Sequence, residues 1–230
     1  MIKDKKLLIT IIIIITAITA ISIIYFINNK KYNYTNLLDN NNLDIVYSII
    51  DNSQDKVPHI NINNNLIKEI NQEIDSIYQN YLLYSPNGFN YNYNVSENIL
   101  SIIITGHVIQ PEQTHYDIIY KSYNIDLKEM KQLSNKDVLN IYNITEEKME
   151  FYLYHKFLNY YNKLLKEKYF TKEQCDFESF LEEKNVDNLL DDNNYYINNK
   201  HLELYKYFNI YTDYNEEDFF NEDSFHFIVT

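Results

Sequence analysis

The spacing of apolar and polar residues changes period several times along the chain, and each change marks an element. Residues 7–27, "LLITIIIIITAITAISIIYFI", are 21 positions without a charge. A helix of that length is about 31 Å long, enough to cross a hydrocarbon core. Residues 28–43, "NNKKYNYTNLLDNNNL", are polar and aperiodic and read as a stalk. "LDIVYSIIDNSQDKVPHINI" reads as extended segments. Leu66, Ile67, Ile70, Ile74, Ile77, Tyr78 and Tyr81 then recur at helical spacing, with Asn63–Asn65 available as caps. "SPNG" at 85–88 is a turn signal. Phe89, Tyr91, Tyr93 and Val95 alternate strictly with polar residues, as in a half-buried strand. "ILSIIITGHVI" and "HYDIIYKSYNIDL" continue as longer strands of one antiparallel meander.

"LSNKDVL" leads to a second long helical stripe over about 145–168, made by Met149, Leu153, Phe157, Tyr160, Tyr161 and Leu164. Thr145 caps it, and Glu146 and Glu147 complement the dipole of its first turn. "DFESFLEEKNVDNLL" is also expected to be helical. "NYYINNKHLELY" reads as a hairpin about Asn198-Asn199, and "SFHFIVT" closes the chain as a strand alternating Phe225, Phe227 and Val229. The expected fold class is α+β: an antiparallel sheet with two long amphipathic helices, preceded by a single N-terminal transmembrane helix.

The rival to a retained span is a cleaved signal peptide, with Ala20-Ile21-Ser22 as a small-x-small cleavage site. The apolar run continues past that point through Ile27, where a mature chain normally turns polar, so retention is expected. The organisation expected is a cytoplasmic tail at 1–6, the span at 7–27, the stalk at 28–43 and an extracytoplasmic domain at 44–230. That domain divides into an N-terminal part, about 44–105, and a C-terminal part, about 106–230. Lys3, Lys5 and Lys6 against Lys30 and Lys31 tilt the orientation slightly toward a cytoplasmic N-terminus.

Charge narrows the partners. Residues 28–230 carry 17 lysines against 32 acidic residues, a net charge of −15, and arginine is absent. Such a surface argues against nucleic acid and anionic lipid headgroups, and suits a basic partner or plain solubility. The 24 tyrosines accompany an excess of Asn, Ile and Lys and only 2 glycines, which reads as coding bias rather than a binding surface.

Candidate chemistry is sparse. His107, Glu112, His115 and Asp117 cluster around a hairpin, but their spacing matches no zinc motif, so ordinary strand and surface roles are expected. Asp126 is expected to accept backbone N–H groups of the turn that follows it. Glu216, Glu217, Asp218, Glu222 and Asp223 read as a solvated loop rather than a calcium or partner patch. Cys175 has no basic neighbour in sequence to activate it. Asn33, Asn94 and Asn143 fit Asn-x-Ser/Thr, as an asparagine-rich chain does by chance. No catalytic, cofactor-binding or metal residue is assigned, and no cofactor is expected.

The order of several pieces resembles a known family. Pro58 with Ile60, Ile70 with Asn71, and Asn124-Ile125-Asp126-Leu127, with His115 nine positions before Asn124, are similar to the extracytoplasmic domain of RsiV-type anti-sigma proteins and to the N-terminal region of the peptidoglycan deacetylase PdaC. "YYINNKHLELY" resembles the closing hairpin of that family, and the resemblance covers about 55–230. Glu112-Gln113-Thr114 stands where the family carries a Gly pair, and Lys128-Glu129-Met130-Lys131 where it carries Thr-Gly-Lys. The resemblance implies an extracytoplasmic binding or sensing module, with lysozyme as a basic protein partner in the relatives and a peptidoglycan fragment as another. With only Met1–Lys6 ahead of the span, the expectation is a module that is not itself an anti-sigma factor and not an enzyme. The alternatives are a wall-associated hydrolase or deacetylase accessory and a structural envelope protein.

Overall fold

Alternating apolar residues after Asp44 fold into a hairpin of β1 (Val46–Asp51) and β2 (Lys56–Ile60). Ser48 pairs with Pro58 and Ile50 with Val57, leaving a bulge between them. Proline has no N–H to give a ladder, so a bulge opposite it loses little. In this computed structural model, residues 33–230 are described except 53, 84, 87, 110–115, 184–188, 200, 213–218 and 230. For 85, 86, 108, 109, 116, 117, 183, 208–212 and 219–225 the description is of the backbone.

The first helical stripe is α1 (Asn65–Tyr81), capped by Asn64, whose side chain accepts from the Leu66 N–H at 2.9 Å. Ile67, Ile70, Ile74, Tyr78 and Tyr81 are its buried face. The meander is a five-stranded antiparallel sheet. β5 (Ile99–Ile109) pairs with β6 (Tyr116–Asp126) along its whole length, and β6 pairs with the short β7 (Lys131–Gln132). On its other side β5 carries both β4 (Asn90–Ser96) and β3 (Ser85–Pro86). The turn signal at 85–88 is thus partly a strand: Ser85 and Pro86 pair with Ile109 and Val108, and the positive φ of 86° falls on Gly88. Pro86 is compatible with this position because it lies on a two-residue edge strand.

α2 (Asn135–Ile141) begins with a capping box between Ser134 and Asp137. α3 (Glu146–Lys166) is capped by Thr145 as expected and buries its whole predicted stripe. α4 (Phe177–Glu183) covers the first part of the expected third helical segment; 184–188 lie outside the described residues. The closing strands β8 (Asn194–Asn198), β9 (His201–Thr212) and β10 (Phe219–Ile228) form an antiparallel sheet in the order β10-β9-β8. β10 begins earlier than expected and takes in Glu222 and Asp223, so these two belong to a paired strand rather than a loop. Glu216, Glu217 and Asp218 lie outside the described residues.

The five-stranded sheet is covered on both faces. Toward α1, Gly106 meets the Tyr81 and Phe89 rings, and Lys121 pairs with Glu73 at 2.7 Å. The opposite face meets the closing strands, and Ile99, Leu153, Phe157, Tyr161, Phe180, Tyr195 and Leu202 are buried in one core there. Cys175 is a free cysteine buried in that core.

Two expected boundaries change. The C-terminal half of the stalk belongs to the fold: Leu38 bridges to Ile62, and the Asp39 N–H donates to the Asn61 carbonyl at 3.1 Å. The division at 105–106 falls inside β5, and Tyr34–Thr230 form one unit. The architecture is α+β with antiparallel sheets. Among the described residues no helix is long and apolar enough to cross a membrane; the expected span at 7–27 lies outside them.

Candidate functional site

The concave surface of interest forms where β1, β2, the start of α1 and the 39–44 loop meet. Two asparagines build it. Asn61, 4% exposed, accepts from the Asn40 N–H at 3.0 Å and gives its own amide protons to the carbonyls of Asn40, Leu43 and Asp44. One side chain thereby holds the loop against the strand end. Asn71 locks α1 to β2: its Oδ1 accepts the Ile60 N–H at 2.9 Å and its Nδ2 donates to the Ile60 carbonyl at 3.0 Å. This double bond to one residue's backbone sets the orientation of the amide. The remaining Nδ2 proton points at His59 Nε2, 3.3 Å away, which assigns the acceptor role to Nε2 and the proton to Nδ1. Tyr47, the cross-strand partner of His59, packs on the imidazole with ring centroids 5.2 Å apart.

The groove has a volume of about 420 Å³. Asp39, Asp75, Gln72 and Asn63 join His59 and Asn71 along it, and Lys68 is the only lysine among the lining residues. Its lining is mostly polar, with two carboxylates and one lysine.

Behind it, buried Asp55 ties the other end of α1 to the sheet. Its carboxylate accepts from Tyr78 Oη at 3.1 Å, from Tyr81 Oη at 3.5 Å and from the Phe89 N–H at 3.0 Å. Burial, then the bond to Asp55 and its charge, push the Tyr78 hydroxyl above its usual pKa.

Of the residues weighed in sequence as a metal cluster and expected to have ordinary strand and surface roles, only His107 has its side chain among the described residues. His107 is exposed on β5 and its register partner is Ile118, while Asp117 pairs with Val108. Glu112 and His115 lie outside the described residues. Among the described residues no group of three or more His, Cys, Asp or Glu side chains could hold a metal ion. Asp126 behaves as expected. Burial pushes its carboxyl up, but the Glu129 and Lys128 N–H groups and Asn98 Nδ2, at 3.0, 2.8 and 2.7 Å, outweigh that and hold it below the usual range.

A histidine–carboxylate pair that sequence reasoning missed is on the closing sheet. Glu203 accepts from His226 Nε2 at 2.9 Å, Asn198 Nδ2 at 2.7 Å and Tyr205 Oη at 3.1 Å. Burial raises its pKa, and these three donors more than offset that, leaving it lowered. His226 stacks on Tyr205 with centroids 4.1 Å apart. The cluster reads as a clasp between β9 and β10. Only alternation within "HLELY" and "FHF" signals it, and alternation does not reveal which strand lies opposite.

No protein-family model matches the chain, and no curated protein matches it. The functional reading therefore rests on geometry, charge and the sequence patterns.

Proposed function

We propose that this chain is a membrane-anchored, extracytoplasmic binding or sensing module of the bacterial cell envelope, spanning the membrane once through residues 7–27 and engaging a basic protein partner. The observation that carries the reading is the preorganised polar groove at His59 and Asn71, whose lining includes Asp39 and Asp75 and a single lysine, Lys68. Its walls are tied to backbone by Asn61 and Asn71, so little ordering remains to be done on binding. The excess of acidic residues in 28–230 extends the same field over the rest of the domain and raises the encounter rate with a basic ligand. The resemblance to the RsiV-like extracytoplasmic domain makes lysozyme the partner to try first.

The test is surface binding of lysozyme to the full-length protein in nanodiscs at low and raised salt. Association is expected to slow by about tenfold as the Debye length shrinks toward ~8 Å. The D39N/D75N double variant should weaken binding further. Absence of lysozyme binding at low salt removes the partner, and binding indifferent to both salt and the double variant removes the groove.

A further inference from the structure

A second groove adjoins the first, and its chemistry is different. It has a volume of about 510 Å³ and shares Leu43 and Tyr47 with the polar groove. Tyr91 and Tyr93 line it beside Tyr47, with Asn41, Asn42 and Asp44 on the loop opposite. Tyr91 and Tyr93, two apart on β4, share a strand face with ring planes 26° apart and centroids 6.5 Å apart. Tyr91 is fixed by a hydrogen bond between its hydroxyl and Ser48 Oγ at 3.0 Å. The loop is fixed by the Asn61 hub and by an Asn42 N–H donated to Asn40 Oδ1 at 2.9 Å.

We infer that this tyrosine-lined groove binds a neutral sugar chain. Sugar rings present apolar C–H faces and a belt of hydroxyls, each both donor and acceptor. The groove offers the complement: three phenol rings for the apolar faces, primary amides that donate and accept, and one carboxylate that accepts hydroxyl protons. Among the described residues no lysine lines it and Asp44 supplies the only formal charge, which disfavours uronic, sulfated or phosphorylated glycans. A basic peptide is served less well, because a single carboxylate beside three tyrosines gives little charge pairing. The two grooves share Leu43 and Tyr47, so one extended chain can run from the tyrosine faces toward the Gln72 amide. The inference goes beyond the envelope reading and does not need lysozyme as partner.

The experiment is calorimetric titration of the full-length protein, in a detergent without sugar headgroups, with chitohexaose and with an anionic galacturonate oligomer. Chitohexaose should bind and the anionic oligomer should bind at least about tenfold more weakly. Tyr91→Ala should weaken chitohexaose by roughly tenfold, and Asp44→Asn, on an exposed loop, by about threefold. Glu150→Gln, exposed on α3, serves as the unchanged control. If Tyr91→Ala fails to fold, Asp44→Asn decides. No binding of chitohexaose by folded protein, equal binding of the anionic oligomer, or indifference to Asp44→Asn overturns the inference. Sugar binding without lysozyme binding would sink only the protein partner; the converse would sink only the sugar site.

Discussion

At the scale of single residues, the fold depends on polar side chains that serve as backbone partners. Asn71 satisfies both the N–H and the carbonyl of Ile60, which is 1% exposed. Asn71→Ala should therefore cost about 3 kcal/mol, since two buried backbone groups lose their only side-chain partner. Urea unfolding of the variant checks this, and a loss below about 1 kcal/mol would mean that water replaces the amide. Glu203 supplies a pH dependence with a definite sign. Its folded pKa lies below the ordinary 4.5, so the folded state gives up the proton more readily than the unfolded chain. Its contribution is fully present above that ordinary value and is lost as pH falls through the folded value. Melting between about pH 6 and pH 3 should thus fall less steeply in Glu203→Gln than in the parent, although the variant starts lower. Parallel curves would show that the three donors do not favour the ionised carboxylate.

At the scale of elements, the informative feature is how β8 is held. Its hairpin partner β9 uses one edge; the other edge faces the five-stranded sheet. Ser101 Oγ accepts the Ile197 N–H at 2.8 Å, Asn124 Nδ2 donates to the Tyr195 carbonyl at 2.8 Å, and Asn94 Nδ2 donates to the Ile197 carbonyl at 3.2 Å. Ser101 Oγ in turn donates to Asn124 Oδ1 at 2.7 Å, so the network is closed within the buried layer. Side chains here do the work of a neighbouring strand and blunt an edge that would otherwise be open. Asn124→Leu breaks this seam at its centre. Amide exchange at Ile197 should quicken by tenfold or more while the α1 amides change little, an effect of about 1.4 kcal/mol or greater. Uniform quickening throughout would instead indicate global destabilisation. The α3 cap is a milder case: Thr145 Oγ1 accepts the Lys148 N–H at 3.2 Å, and Thr145→Ala should cost about 1 kcal/mol in thermal or urea unfolding.

At the scale of the whole molecule, the proposal combines an apolar segment with an acidic domain. Placing lysines at Ile13 and Ile14 would cost about 5–7 kcal/mol of insertion free energy if that segment spans a bilayer. The variant should then leave the membrane fraction for the soluble one on carbonate extraction. A variant that stays with the membrane would end the anchored reading. The groove predictions belong to this scale as well, since the first hollow joins the 39–44 loop, β1 and β2 to α1, and the second joins the 41–47 segment to β4.

What the chain's own pattern determined was the kind and order of elements. The 3.6-residue stripes of α1 and α3, the cap at Thr145, the strict alternation of 89–95 and the turn at Asn198-Asn199 all appear where periodicity placed them. Each of these is set by neighbours within a turn or two along the chain, so sequence records it directly. The turn carboxylate Asp126 was legible for the same reason: its donors are two and three residues away. The tertiary structure decided what the isolated polar residues do. Asn124 meets Tyr195 across 71 positions and Ser101 meets Ile197 across 96, and the tyrosines of β4 become a groove wall only because the 41–44 loop lies opposite them. A hydrogen bond's partner and a cavity's far wall are chosen by chain closure over such separations, and no local period encodes that choice.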